Sequence, residues 1–190
     1  EILEEARWLS SQGVSELFLV SENTTSYGKD LGDLKLMESL LPEISKIDGI
    51  ERIRLSYLQP AEIRPTLLQA MTATEKVVPY FDISFQHASG SLLRRMRRFG
   101  DGEKFLHLIT QIRALNPEAG IRSNFIVGFP GESDEDFMET FNFLHSLDVS
   151  YLHVFTYSER ADTLAAGLQP VVPMHVRNER NKRLRTLSYQ

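Results

Sequence analysis

The chain has 190 residues, of which 42% are hydrophobic and 25% are charged, and its formal net charge is −5. This length suffices for one substantial core, so we expect a single domain over residues 1–190. The negative charge gives no overall attraction to nucleic acid, so any RNA contact must rest on local basic patches or on another domain. No apolar run approaches the roughly 20 residues that span a bilayer, and no signal peptide opens the chain. We therefore expect a cytoplasmic protein without a membrane partner.

Strand-like apolar runs alternate with helix-like amphipathic segments along the chain. The pattern predicts strands at residues 16–21, 50–57, 80–86, 121–127 and 151–157. It predicts helices at residues 1–12, 34–47, 60–73, 89–99, 102–115, 133–146 and 174–189. This alternation requires right-handed parallel crossovers, and the apolar strand centres suit one parallel sheet covered by helices. The fold class is therefore α/β.

Polar or glycine residues follow each predicted strand where it leads into the next helix. They are Glu22 with Asn23, Ser56 with Tyr57, Gln86 with His87, Gly128 to Gly131, and Tyr157 with Ser158. Ligands of parallel α/β barrels bind on these loops, so the residues are candidates for one binding mouth. A capped loop or a polar plug inside a barrel would explain several of them without a ligand.

The segment 122–137 is the most informative part of the chain. It reads as a buried strand, a glycine turn and a helix start, with Ser133 as N-cap and Asp136 three positions on. Gly128 and Gly131 let the backbone approach a ligand closely, and an approaching nucleoside would leave no room for a branched side chain at Gly128. Many strands also end in such a turn for geometric reasons alone.

Cysteine and histidine bear on metal binding, and the basic residues bear on nucleic-acid binding. The chain has no cysteine, and its five histidines (His87, His107, His145, His153 and His175) lack HxxxH or HxH spacing. Each histidine is interpreted as a surface residue or as a core residue with a hydrogen-bond partner. Basic clusters occur at Arg94, Arg95, Arg97 and Arg98, and at Arg177, Arg180, Lys182, Arg183 and Arg185. They could meet phosphates, but most such runs are solvated helix faces.

Four motifs, at residues 21–28, 83–89, 122–137 and 154–160, resemble the radical S-adenosylmethionine methylthiotransferases. Residues 1 to about 135 resemble the RimO-like branch, which modifies an aspartate of a small-subunit ribosomal protein. Residues from Asp148 onward resemble the branch that acts on a tRNA adenosine beside the anticodon. The resemblance implies a partial (β/α) TIM-like barrel of the radical SAM type, with the first strand and the CxxxCxxC loop absent and upstream of residues 1–9. The chain would then be a core fragment.

The resemblance also implies cofactors and partners. The cofactors are S-adenosyl-L-methionine and a 4Fe-4S cluster of the full-length parent, whose thiolate ligands are not in this chain. The partners are a ribosomal protein or ribosomal subunit, or tRNA, and an electron donor for cluster reduction. A non-catalytic nucleotide-binding remnant remains an alternative. A Schiff-base aldolase would need a lysine in the barrel, and no predicted strand contains one.

The cofactor-binding residues that the resemblance implies are Glu22, Asn23, Ser56, Gln86, Arg122, Asn124, Gly128, Phe129, Gly131, Phe155 and Tyr157. Three positions depart from the family pattern. Glu22 stands where glutamine is usual, and Asn124 replaces the first glycine of a GxIxGxxE pattern that is one residue longer here. Asp162 stands where glycine is frequent, but aspartate tolerates the left-handed backbone conformation that such a turn needs.

Overall fold

A computed structural model of the chain describes residues 1–188. The chain divides into two compact units. The first unit consists of Glu1–Ile83 and Thr110–Gly120, and the second consists of Ser84–Ile109 together with the chain from Ile121 onward. Among the described helices, none combines the length and the apolar character that crossing a membrane requires.

Helices and strands alternate in both units. In chain order they are α1 (Ile2–Ser11), β1 (Glu16–Leu19), α2 (Leu36–Ser45), β2 (Arg52–Leu55), α3 (Pro65–Ala73), β3 (Tyr80–Gln86), α4 (Gly90–Arg95), α5 (Gly102–Leu115), β4 (Gly120–Val127), α6 (Asp134–His145), β5 (Tyr151–Thr156) and α7 (Met174–Leu187). All five predicted strands and all seven predicted helices are present within residues 1–188. The predicted end of the last helix at Tyr189 lies outside the described residues.

Several predicted segments differ in detail from the structure. The helix predicted at residues 89–99 ends at Arg95, and the strands predicted at residues 16–21 and 50–57 end at Leu19 and Leu55. The loop between β1 and α2 contains short 3₁₀ turns at Thr24–Ser26 and Lys29–Leu31. The helix predicted at residues 60–73 is a 3₁₀ turn at Pro60–Glu62 followed by α3. Proline is favoured in the first turn of a helix, where its missing N–H costs nothing, and Pro65 opens α3 in this way.

The strands form two sheets rather than the one sheet predicted. β1 pairs with β2, with Glu16 opposite Arg52. β3, β4 and β5 form a three-stranded sheet in that order. In the first unit, Tyr57 adopts a φ of 53°, so the chain leaves the extended conformation after β2. Pairing resumes there only as an isolated parallel bridge between Leu58 and Ile83.

Aromatic side chains form the core on one face of the three-stranded sheet in the second unit. Phe85 of β3 stacks on Phe105 at 4.3 Å between centroids, and it meets Phe125 of β4 and Phe143 of α6 edge-on at 6.4 Å each. Because side chains alternate along a strand, the neighbours of Phe85 and Phe125 point to the opposite face. That face carries most of the polar candidates.

Candidate functional site

One sheet face of the second unit gathers four residues, which we call the polar face: Arg122, Asn124, His153 and Phe155. The strand register places Asn124 directly opposite His153 and Arg122 opposite Tyr151. Gln86 ends β3 with a φ of 72°. The structure thus brings Arg122, Asn124 and Phe155 together on one surface, and their part in cofactor binding stays a prediction.

The polar face offers three kinds of contact. Arg122 lies 3.1 Å from Nδ1 of His153, so its guanidinium donates to that nitrogen. The His153 ring lies 4.1 Å from the ring of Phe155, which is 45% exposed. Asn124 is buried, and its Oδ1 accepts no hydrogen bond from any described residue. A guanidinium, an exposed aromatic ring and an unpaired acceptor suit a carboxylate, a purine face and a donor group, respectively.

His153 was missed as a site residue at the sequence level. Its position was a usable signal, because residues two apart on a strand share a face and His153 is two residues from Phe155. The histidine also fixes the guanidinium of Arg122 on this face. By contrast, the interpretation of His87 as a core residue with a partner is confirmed, since it is fully buried with Nδ1 2.9 Å from the Thr140 hydroxyl.

The glycine corner, residues 128–132, follows β4. Gly128 and Gly131 have φ values of 77° and 87°, which glycine adopts at no steric cost. A Cβ at Gly128 would collide with Cγ of Arg177, and a Cβ at Gly131 would collide with the guanidinium of Arg95. The stem of Arg177 therefore leaves no room for a side chain at Gly128, whereas the guanidinium of Arg95 is the end of a flexible side chain that can move away from Gly131.

Glu132 closes the glycine corner from inside. Its buried carboxylate accepts a hydrogen bond from the backbone N–H of Gly128. Its Oε1 lies 3.2 Å from Nη1 of Arg180 and 3.9 Å from Nε2 of His87. The Arg180 contact is close but poorly aligned for a hydrogen bond, so charge attraction is its main component. The turn is thus held by a buried ion pair.

The interpretation of the second basic cluster as a solvated face is wrong for two of its members. Arg177 and Arg180 are buried. Arg177 donates to the carbonyl oxygens of Val172 at 2.7 Å and Tyr157 at 2.9 Å and pairs with Glu159 at 2.5 Å. Arg177 and Arg180 are three residues apart, so they share the inner face of α7. Lys182, Arg183 and Arg185 are exposed, as expected.

Phe129 and Tyr157 pack against each other beside the corner. Their ring centroids are 5.3 Å apart, with the rings edge to face. Phe129 is buried, and the buried hydroxyl of Tyr157 has no hydrogen-bond partner among the described residues. Barrel packing, the alternative to ligand contact, explains the Phe129 ring. Packing does not account for the Tyr157 hydroxyl, which is positioned to form a hydrogen bond with a polar group of a ligand.

Three predicted residues lie in the first unit. Glu22 is exposed, Asn23 donates to Glu62 at 3.2 Å, and Ser56 donates to the carbonyl oxygen of Leu19 at 3.3 Å. Asn23 also accepts a hydrogen bond from Thr25. These bonds hold the loop after β1, and a part in cofactor binding stays a prediction for all three.

A partly buried ion pair braces the same loop of the first unit. Arg64 binds Glu38 with two hydrogen bonds, at 3.0 and 3.1 Å, and donates to the carbonyl oxygen of Thr25. Burial alone would raise the pKa of Glu38, but the hydrogen bonds from Arg64 and Thr66 outweigh it and lower the pKa. Glu38 therefore stays ionised and keeps Arg64 in place.

The two implied cofactors differ in how the residues present fit them. The orphan Oδ1 of Asn124, the guanidinium of Arg122 and the ring of Phe155 fit a nucleoside with an amino-acid tail. A 4Fe-4S cluster does not fit, because the chain has no cysteine. Within residues 1–188, no group of three His, Cys, Asp or Glu side chains could hold a metal ion.

Comparisons with known proteins show which superfamily the chain matches and which proteins are similar to it. Residues 1–144 match the radical SAM superfamily. Ribosomal protein uS12 methylthiotransferase RimO of Cutibacterium acnes is 58% identical over 188 residues, covering 99% of this chain and 39% of that protein. The protein of the same name from Streptomyces coelicolor is 59% identical over 166 residues, covering 87% and 34%. The chain thus spans well under half the length of these relatives.

The fold also matches a solved structure. Coproporphyrinogen III oxidase (HemN) from Escherichia coli, a radical SAM enzyme, superimposes with a TM-score of 0.72 at 17% identity, covering 99% of this chain and 44% of that one. The predicted α/β fold of the radical SAM type and the resemblance to radical SAM methylthiotransferases are confirmed. Because the superfamily match covers more than half of its residues, this chain belongs to the radical SAM superfamily.

Proposed function

We propose that this chain forms the S-adenosylmethionine-binding part of a radical SAM methylthiotransferase acting on an unactivated C–H of an aspartate in a ribosomal protein. The observation that carries the proposal is the 58% identity with a uS12 methylthiotransferase over 188 residues. That match includes the residues after Asp148, where the sequence pattern resembled the tRNA-modifying branch. A ribosomal substrate implies a cytoplasmic site of action. Reduction of the cluster in the complete protein would require an electron donor.

The polar face and the glycine corner supply binding and orientation in this proposal. S-adenosylmethionine, when bound, supplies the radical precursor, while the protein positions it. Arg122 holds the carboxylate of the methionine part, and Phe155 packs on a face of the adenine. Oδ1 of Asn124 accepts a hydrogen bond from the nucleoside, and the hydroxyl of Tyr157 donates one to it or accepts one from it; both atoms are buried without partners among the described residues.

A binding experiment tests the polar face. S-adenosylhomocysteine, a stable analogue, is titrated calorimetrically into the protein, its Phe155→Ala variant and the control Tyr151→Ala. Tyr151 is exposed at the other end of the same strand face. Loss of the stacked ring should weaken binding about fivefold to tenfold, and the control should change it less than about twofold. Equal affinities for all three proteins would remove the polar face from the site.

An activity experiment tests the substrate. The complete protein is incubated with small ribosomal subunits and, separately, with bulk tRNA, and methylthio incorporation is measured by mass spectrometry. The proposal expects the modification on a ribosomal protein aspartate. Incorporation into tRNA alone would contradict the proposed ribosomal substrate but would support the proposed methylthiotransferase reaction. No incorporation into either, with S-adenosylhomocysteine still bound, would favour a non-catalytic nucleotide-binding protein.

A further inference from the structure

The segment 90–100 of the second unit carries four arginines, which we call the α4 patch: Arg94, Arg95, Arg97 and Arg98. The segment contains no aspartate or glutamate, although the whole chain has a net charge of −5. All four arginines are exposed. The patch is therefore a local concentration of positive charge on an otherwise acidic chain.

Arg97 stands at a position where the backbone favours glycine. Its φ is 56°, just after α4, where the N–H of Arg98 reaches back to the carbonyl oxygen of Leu93 at 2.7 Å. This is the usual helix end with a left-handed residue, for which glycine is the common choice. A side chain in that conformation is strained, and strain of this kind collects at functional positions. The strained backbone marks Arg97 as a candidate for a functional contact.

Within the α4 patch, the side chains of Arg94 and Arg97 are exposed and form no hydrogen bond or ion pair with residues 1–188. The nearest acid in the sequence, Asp101, is bound by Lys104 at 2.8 Å, and these hydrogen bonds lower the pKa of Asp101. Phe99 extends the patch with a ring that is 51% exposed. Positive charge beside an exposed aromatic ring is the combination that binds phosphates and stacks unpaired bases.

The α4 patch also adjoins the glycine corner. Arg95 donates to the carbonyl oxygen of Gln169 at 2.8 Å, and its guanidinium occupies the space beside Gly131. Arg95 is therefore a structural member of the patch, while the side chains of Arg94 and Arg97 are exposed to solvent. A ligand on the patch would lie next to the proposed cofactor site.

We propose that the α4 patch binds the phosphates of RNA and that Phe99 stacks on an unpaired base. The inference rests on the proposed function, since a ribosomal protein substrate is presented on ribosomal RNA. An acidic protein surface would use the arginines but not the exposed ring, so RNA fits the patch better. Docking of this kind brings the glycine corner to the substrate.

A charge-reversal experiment tests the proposal. Binding of naked small-subunit ribosomal RNA to the complete protein is measured by filter retention over a salt series. The double variant Arg94→Glu with Arg97→Glu should bind at least about tenfold more weakly, with a salt slope lower by about two. The control Lys182→Glu with Arg185→Glu makes the same charge change on the exposed face of α7 and should have less than about a twofold effect.

A second variant separates binding from folding. Arg97→Gly removes the guanidinium and relieves the left-handed strain, so we expect a higher Tm together with roughly threefold to fivefold weaker RNA binding. Unchanged affinity in both patch variants, or an equal loss in the control, would overturn the proposal. Retained affinity for naked RNA with lost binding to intact subunits would overturn it in favour of a protein partner.

The proposed function is tested separately in the same proteins. Patch variants should modify a free ribosomal protein as fast as the unaltered protein does and intact subunits more slowly. That result would support both proposals. If the unaltered protein modifies neither substrate but binds RNA through the patch, the proposed function fails and the RNA surface stands.

Discussion

At the residue scale, Gly128 is enclosed by the protein's own side chains. A branched residue there would need a φ near 77° and would collide with the stem of Arg177. Gly128→Val should therefore lower the free energy of unfolding by about 3 kcal/mol or more, from backbone strain and overpacking together. Urea denaturation followed by circular dichroism measures the change.

Alanine substitutions at Gly32 and Gly128 form a matched pair that separates backbone strain from packing. Gly32 has a φ of 76°, but no atom lies within 4 Å of a Cβ built on it. Gly32→Ala should cost only the conformational strain, about 1 kcal/mol. Similar losses for Gly32→Ala and Gly128→Ala would show that Arg177 moves aside easily and that the glycine corner is not packed by it.

Single residues differ in how well the sequence predicts them. The turn at Asp162 was expected to keep its left-handed conformation without glycine, and its φ of 63° confirms this. Burial of Arg177 and Arg180 was not predicted, because their partners Tyr157 and Glu132 are 20 and 48 residues away in sequence. Local charge patterns carry no information about partners that only the fold brings near.

At the scale of elements, α6 begins with a capping box. Ser133 and Asp136 exchange backbone and side-chain hydrogen bonds, and Ser89 and Ser91 donate to the same carboxylate. Burial alone would raise the pKa of Asp136, but these hydrogen bonds outweigh it and lower the pKa from 3.8 to about 2. The carboxylate thus stabilises the fold above about pH 4, and this contribution is lost as the pH falls towards 2.

Asp136→Asn should remove that pH dependence. We expect a loss of about 1 kcal/mol at neutral pH, reduced by solvent screening, and a flatter stability curve between roughly pH 4 and 2. Glu135→Gln, at the exposed neighbouring position of the same turn, is the control. Parallel curves for the unaltered protein and Asp136→Asn would contradict the assignment.

Helix α7 holds the glycine corner through Arg180. Arg180→Met leaves the buried carboxylate of Glu132 without its cation, so unfolding free energy should fall by about 3 to 5 kcal/mol. Arg183→Met is the control, because Arg183 is exposed over the rings of Phe137 and Phe141 and should cost less than about 1 kcal/mol. Thermal unfolding of both variants decides between a structural ion pair and a dispensable one.

Elements were predicted more accurately than their pairing. β3 and α5 have the bounds read from the sequence, because their apolar periods are long and end at polar residues. The division into two sheets was not predicted. It depends on the left-handed backbone conformation of Tyr57 and on strand geometry rather than on the apolar pattern. The polar face was partly predicted, because alternation along β4 and β5 is local.

At the scale of the whole molecule, β1 has β2 as its only ladder partner among residues 1–188. A cavity of about 450 Å³ lies against β1, lined by α1 and α2. Edges of this kind invite pairing with another chain. We expect the 190-residue chain to self-associate, as measured by light scattering and thermal unfolding.

A lysine at the edge should reduce this association. Val20 follows β1 and is 59% exposed, so Val20→Lys places a charge where a further strand would pair. Leu31→Lys, at a 72% exposed position in the loop, is the matched control and should have little effect. A monodisperse monomer without either substitution would contradict the expectation that the β1 edge is available.

The arginines beside Gly128 and Gly131 have a consequence for the thermodynamics of ligand binding. Because the turn is held by contacts with Arg177, Arg95 and the Glu132 carboxylate, its backbone is preorganised. A nucleoside that docks there does not have to order a loop, and the conformational entropy lost on binding is small. If the proposed site is correct, the affinity of this corner for a nucleoside is set during folding, by side chains that need not touch the ligand.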